Sequence, residues 1–187
     1  MRAAGPLRTH YVFWGKNVRL PATSSPLIFT LPFSVEADVE IPQDGANGVI
    51  VAAGSLFGGW SFYLKDGRPV AYAAVTQLPG QQFRVAAEKP LSPGPNKLRF
   101  EFEAAGEGGV MRISVNGTEV AHGELPKRPR TLAGLGETFD VGRDSNTPVS
   151  DEYQDEGVFT GEIDKVVVDV KPPSAGSPAN GKPPEPD

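Results

Sequence analysis

Between Phe33 and Ile41 the chain alternates without a break: Phe33, Val35, Ala37, Val39 and Ile41 are apolar, and Ser34, Glu36, Asp38 and Glu40 between them are polar. Successive side chains of a strand point to opposite faces, so this spacing predicts a strand with one face in a core and the other in water. The pattern returns over residues 96–103, where Leu98, Phe100 and Phe102 share a face. It returns again near the end, where Phe159, Gly161 and Ile163 lead into an apolar run to Val170. Residues 48–54 are apolar throughout, as expected of a strand buried on both faces. Asp66-Gly67 and Asn116-Gly117 each stand between apolar runs, and these dipeptides suit hairpin turns whose two central residues take positive φ. With 22 Gly and 19 Pro cutting the apolar runs short, many strands and no long helix are expected.

The predicted fold class is therefore all-β, an antiparallel sandwich of two sheets. Residues 11–171 make one domain, 1–10 a flexible N-terminus, and 172–187 a disordered tail of Pro, Gly, Ala, Ser and charged residues with nothing to bury. The aromatic segment 10–21 reads as one opening strand, and residues 21–32 as an irregular link.

Composition excludes several classes. Net charge is −5 and no basic block occurs beyond Lys127-Arg128-Pro129-Arg130, which reads as a solvated loop, so neither nucleic acid nor an anionic membrane is an expected partner. The chain has no cysteine, which removes disulfides, thiolate metal sites and a thiol nucleophile. His10 and His122 lie in or beside strand patterns, without the spacing of a transition-metal site or a partner for nucleophilic catalysis. Met1–Pro6 has no apolar signal-peptide core and no apolar run reaches the ~20 residues of a membrane span. A cytoplasmic location is the expectation for the chain as written, and a periplasmic or secreted one for a start lying upstream.

The polar loop around residues 139–149 is the candidate functional surface, because strands deliver such a connection to a fixed place. Asp140, Asp144 and Asn146 supply closely spaced oxygens that suit a hard cation such as Ca²⁺. A solvated acidic loop held by Asx-turn hydrogen bonds accounts for the same residues. Trp60, Tyr63 and Tyr72, with Trp14, are the rings available for stacking on a sugar, and the alternative is that they fill the core.

Ile113-Ser114-Val115-Asn116-Gly117, with a final strand of the form F-x-G-x-I-D-x-V from Phe159 to Val166, resembles laminin-G/concanavalin A-like jelly rolls. A longer series of motifs is similar to the C-terminal β-sandwich of long bacterial arylsulfatases. Val18-Arg19-Leu20-Pro21, Ala37-Asp38-Val39-Glu40-Ile41-Pro42, Gly48-Val49-Ile50-Val51-Ala52, Gly58-Gly59-Trp60, Tyr63-Leu64-Lys65-Asp66-Gly67, Leu98-Arg99-Phe100-Glu101-Phe102 and Glu137-Thr138-Phe139-Asp140-Val141-Gly142-Arg143-Asp144 occur in that order. In that family catalysis belongs to a separate α/β domain with a C/S-x-P-x-R motif, which this chain lacks. The resemblance thus implies a non-catalytic accessory module that packs, in cis or in trans, on a sulfatase catalytic domain. Arg143, Thr147, Asp151 and Tyr153 are the residues it would offer to a partner or ligand. The competing expectation is a Ca²⁺-dependent, lectin-like glycan-binding module that uses Asp140, Asp144 and Asn146 beside Trp60, Tyr63 or Tyr72.

Overall fold

The computed structural model describes residues 8–26, 28–129 and 137–172. Its strands are β1 (His10–Trp14), β2 (Val18–Pro21), β3 (Phe33–Ile41), β4 (Gly48–Ser55), β5 (Gly58–Lys65) and β6 (Arg68–Ala74). They continue with β7 (Gln82–Ala86), β8 (Gly94–Ala105), β9 (Gly108–Val115), β10 (Thr118–Leu125), β11 (Thr138–Val141) and β12 (Glu162–Val170). Two antiparallel sheets result, ordered β1-β12-β3-β8-β9-β10 and β2-β11-β4-β5-β6-β7. No helix among the described residues is long and apolar enough to cross a membrane.

The alternation in β3 is realised as predicted, with Phe33, Val35, Ala37, Val39 and Ile41 all buried between the sheets. Leu98, Phe100 and Phe102 of β8 and Met111 and Ile113 of β9 continue that inner face. From the second sheet Trp60, Phe62, Ala71, Ala73 and Phe139 meet them. Rings dominate the contact: Trp60 lies 5.7 Å from Phe33 and 5.9 Å from Phe100, centroid to centroid. Truncating one such buried ring typically costs about 3–5 kcal/mol, several times the worth of a hairpin turn, so this interior is what joins the two sheets. The outer face of the first sheet is charged and internally paired. Lys97 bridges Glu36 (3.0 Å) and Asp38 (2.8 Å), Lys165 also reaches Asp38 (3.2 Å), and Lys171 reaches Glu101 (3.0 Å).

Three local features beyond the sequence reading have physical causes. Segment 10–21 is two strands, one in each sheet, because Gly15 and Asn17 turn the chain with φ of 72° and 71°. The link 21–32, irregular as expected, also supplies the core: Phe29 inserts into it, 4.9 Å from Phe33 and 4.7 Å from Phe102. In β12 a bulge between Ile163 and Lys165 lets Ile163 and Val166, three positions apart, both face inward. The expected N-terminus and tail fall mainly on residues 1–7 and 173–187, outside the described residues, as does Arg130 of the basic cluster.

In the second sheet β4, β5 and β6 are buried on both faces. A second apolar cluster covers their outer side: Val49, Ala52, Tyr63, Val70, Tyr72 and Ala74, capped by Val149 with Tyr153 packed beside it. The connection from β11 to β12 lies over this face and positions the site.

Candidate functional site

The β11–β12 connection is fastened to the sheet along its length. Gly142 N–H donates to the Ile50 carbonyl (2.9 Å), and the Leu56 N–H donates to that of Pro148 (3.1 Å). Phe159 N–H returns to the Gly142 carbonyl (3.0 Å). At the middle, the Glu152 carboxylate accepts from the Tyr63 hydroxyl (2.9 Å) and pairs with Arg84 Nε (2.8 Å), while Lys65 Nζ donates to the Glu152 carbonyl (2.9 Å). Two strands, β5 and β7, thus converge on one residue of the covering segment.

Inside the connection, Asp140 and Asp144 are each only 1% exposed. Thr138 Oγ1 donates to Asp140 Oδ2 (2.6 Å), as does Ser145 N–H (3.1 Å). Asp144 Oδ2 accepts from Val149 N–H (2.8 Å) and from the Tyr153 hydroxyl. Burial pushes the Asp144 carboxyl up to about 7, with the nearby Asp140 and Glu137 adding to the effect and the two hydrogen bonds opposing it. Burial likewise raises the Tyr153 phenol. Asn146 is exposed, and its Oδ1 accepts from Arg19 Nη2 (2.8 Å).

This geometry lends the calcium expectation no support. A Ca²⁺ ion is held by several oxygens that converge on one point and are free to ligate it. Here the carboxylates at 140 and 144 are turned inward onto local donors, one of them half-protonated near neutrality, and Asn146 is engaged by a guanidinium. The three residues are committed to contacts within the protein, and the two aspartates fasten the loop through backbone amides five positions on. Among the described residues no group of three or more His, Cys, Asp or Glu is placed to hold a metal.

The other residues singled out from sequence divide between frame and surface. Arg143 is taken up by Glu156 (3.2 Å) and Asn17 (2.5 Å). Thr147 lies beside Glu137, whose carboxyl burial also raises. Trp60, 1% exposed, is a core ring and cannot stack on a sugar, and Tyr63 is fully covered with its hydroxyl committed to Glu152. Trp14 is 68% exposed but stands on β1 of the other sheet, with Lys165 Nζ 5.9 Å over its ring. Both histidines are exposed and paired with carboxylates, His10 with Asp169 (2.6 Å) and His122 with Glu119 (2.8 Å).

Tyr72, Asp151 and Tyr153 do come together. They line a groove of 530 Å³ between the covering segment and the β6–β7 connection, with Gln77, Gln82, Ser150 and Gln154 around them and Leu56, Pro148 and Val149 as its apolar part. Gln82 Nε2 donates to the carbonyls of Thr76 (2.6 Å) and Leu78 (3.0 Å), which holds the connection in shape. Among the described residues the side chains of Gln77, Asp151 and Gln154 have no hydrogen-bond or ion-pair partner. An edge of Tyr72 and short aliphatic surface, ringed by unspent amide and carboxylate groups, can hold a flat polyhydroxylated ligand. Gln77 and Gln154 escaped the sequence reading because an uncharged amide in a loop carries no motif, and Gln82 because it merely opens a strand. The only available signal was that residues 75–82 are longer than a tight hairpin needs.

No protein-family model matches the chain, and no curated protein matches it. Solved structures do. The CBM40 domain of the Ruminococcus gnavus IT-sialidase, bound to α2,3-sialyllactose, is similar with a TM-score of 0.59 at 10% identity, over 89% of this chain and 92% of that one. Domains LG4-5 of the mouse laminin α1 chain give 0.57 at 15% identity, over 87% and 39%. The botulinum neurotoxin serotype D binding domain gives 0.54 at 12% identity, over 87% and 44%. At such identities the likeness is one of fold, and the fold is the laminin-G/CBM40-like jelly-roll sandwich. Nothing in these comparisons connects the chain to arylsulfatases, so the resemblance drawn from its motifs reaches only as far as this sandwich class.

Proposed function

We propose that the chain is a carbohydrate-binding module that holds a sugar, without a metal ion, in the groove between the β6–β7 connection and residues 148–154. The observation that carries the reading is the groove's composition: Tyr72 beside the three unpartnered side chains of Gln77, Asp151 and Gln154. Sugars present alternating C–H faces and hydroxyls, and a ring edge next to free amide groups matches both. At 530 Å³ the groove is within the range of small-ligand sites. The sandwich it shares with a sialidase CBM40 domain bound to sialyllactose supports the same reading. An accessory role beside a sulfatase catalytic domain rests on the sequence motifs alone, and no feature of the groove favours it.

A glycan array probed with the purified chain tests the proposal, with hits measured by calorimetry. Binding is expected to fall about tenfold or more in the double variant Gln77→Ala/Gln154→Ala, whose two side chains support nothing else, and to be indifferent to EDTA. Absence of hits, or hits that the double variant binds as well as the parent, would sink it.

A further inference from the structure

We infer that the groove selects sugars that carry no anionic group and discriminates against sialylated, sulfated or uronate-bearing glycans. The inference rests on the sugar-binding reading of this groove and adds the class of sugar.

Charge placement is the argument. Among the described residues no Lys, Arg or His lines the groove, and its one carboxylate, that of Asp151, is exposed with no ion-pair partner. Cations do exist on the outer face of the second sheet, but they are drawn elsewhere. Arg84 is the cross-strand neighbour of Tyr72 and so shares its face, yet its Nε is spent on Glu152 at 2.8 Å. Lys65 is spent on the carbonyl of the same residue at 2.9 Å. Recognition of a carboxylate or sulfate normally rests on an Arg fork or a Lys. Here an incoming anion would meet an uncompensated carboxylate, on a chain whose net charge is already −5. A neutral sugar meets only acceptors and amides, and its hydroxyls can donate to Asp151 in charge-assisted hydrogen bonds.

The test pairs each neutral glycan found on the array with its sialylated, sulfated or uronate counterpart, and measures both by calorimetry at low salt. The neutral member is expected to bind at least about tenfold more tightly, the size of effect an unpaired charge a few ångströms away produces. Raising the salt should narrow the gap, since the repulsion is between exposed groups. Asp151→Lys should close or invert it, and Asp151→Asn should reduce it. Because Asp151 is exposed and unpaired, neither change threatens the fold. Anionic members that bind as tightly as their neutral counterparts, and lose that binding in Gln77→Ala/Gln154→Ala, would overturn this selectivity while leaving sugar binding in the groove intact. If no glycan of any charge depends on Gln77 and Gln154, both readings fall together.

Discussion

Asp144 is a carboxyl that the fold keeps protonated further up the pH scale than an unfolded chain would, up to about 7 against a usual value of 3.8. Below about pH 4 both states hold the proton and the folded state has the full benefit of the buried neutral acid. As pH rises towards 7 the unfolded chain binds fewer protons than the folded one, so stability falls, and above 7 the slope ends. Three pH units correspond to about 4 kcal/mol, large against the net stability of a domain. Asp144→Asn should remove that slope. The amide oxygen can still accept from Val149 and Tyr153, as Oδ2 does now, and no charge is left to desolvate. Urea melts of both proteins between pH 4 and 8 check this, with the variant expected to gain on the parent as pH rises. Parallel curves would mean that Asp144 is not the titrating group. The sequence could place Asp144 on a functional-looking loop but could not say what its oxygens face. Its partners, Val149 N–H and the Tyr153 hydroxyl, are near in the chain, yet only the sheet underneath turns them inward. Trp60 and Tyr72 differ for a similar reason: each lies in an apolar strand whose two faces are both buried, so the pattern gives no sign of which side meets water.

At the scale of elements, glycines separate turns that merely need positive φ from places where backbones nearly touch. Gly117 has φ of +84° and open space where a Cβ would go, whereas Gly48 has φ of +101° and would put a Cβ 2.4 Å from the Val158 carbonyl oxygen. Gly117→Ala is expected to cost about 1 kcal/mol, the strain of the left-handed region alone. Gly48→Ala should cost about 3 kcal/mol or more, because the covering segment must also move away from β4. Equal losses in denaturant melts would contradict this ordering. Strand identity was legible wherever one face is wet: β3 and β8 could be read residue by residue, and both Asp66-Gly67 and Asn116-Gly117 form the predicted turns, with φ of 51° and 71° and of 50° and 84°. It was illegible where a backbone irregularity shifts the register. The bulge in β12 and the turn at residues 15–17 follow from tertiary pairing, which no local period reports.

For the molecule as a whole, the decisive feature is that one connection covers the outer face of β4, β5 and β6 and leaves a groove at its margin. That groove draws on residue 56, residues 72–82 and residues 148–154, segments brought together only by the strand order, and this is why the sequence showed its aromatic floor and acidic rim but not their meeting. Glu152 is the pin of the arrangement, since it holds Tyr63, Arg84 and Lys65 at once. Glu152→Ala leaves the Tyr63 hydroxyl buried without its acceptor, a loss of about 1–3 kcal/mol. Amide exchange of residues 143–158 should then quicken while that of β3 and β8 stays slow, because the interior between the sheets is untouched. Glu152→Gln keeps an acceptor for Tyr63 but withdraws the charge that occupies Arg84, so it should cost less than the alanine. With Arg84 no longer neutralised on the face it shares with Tyr72, the glutamine variant should also bind anionic glycans better than the parent does. Faster exchange spread evenly over both sheets would show that Glu152 supports the fold at large, whereas an effect confined to residues 143–158 would show that the covering segment is a separate layer whose hold on the sheet depends on Glu152.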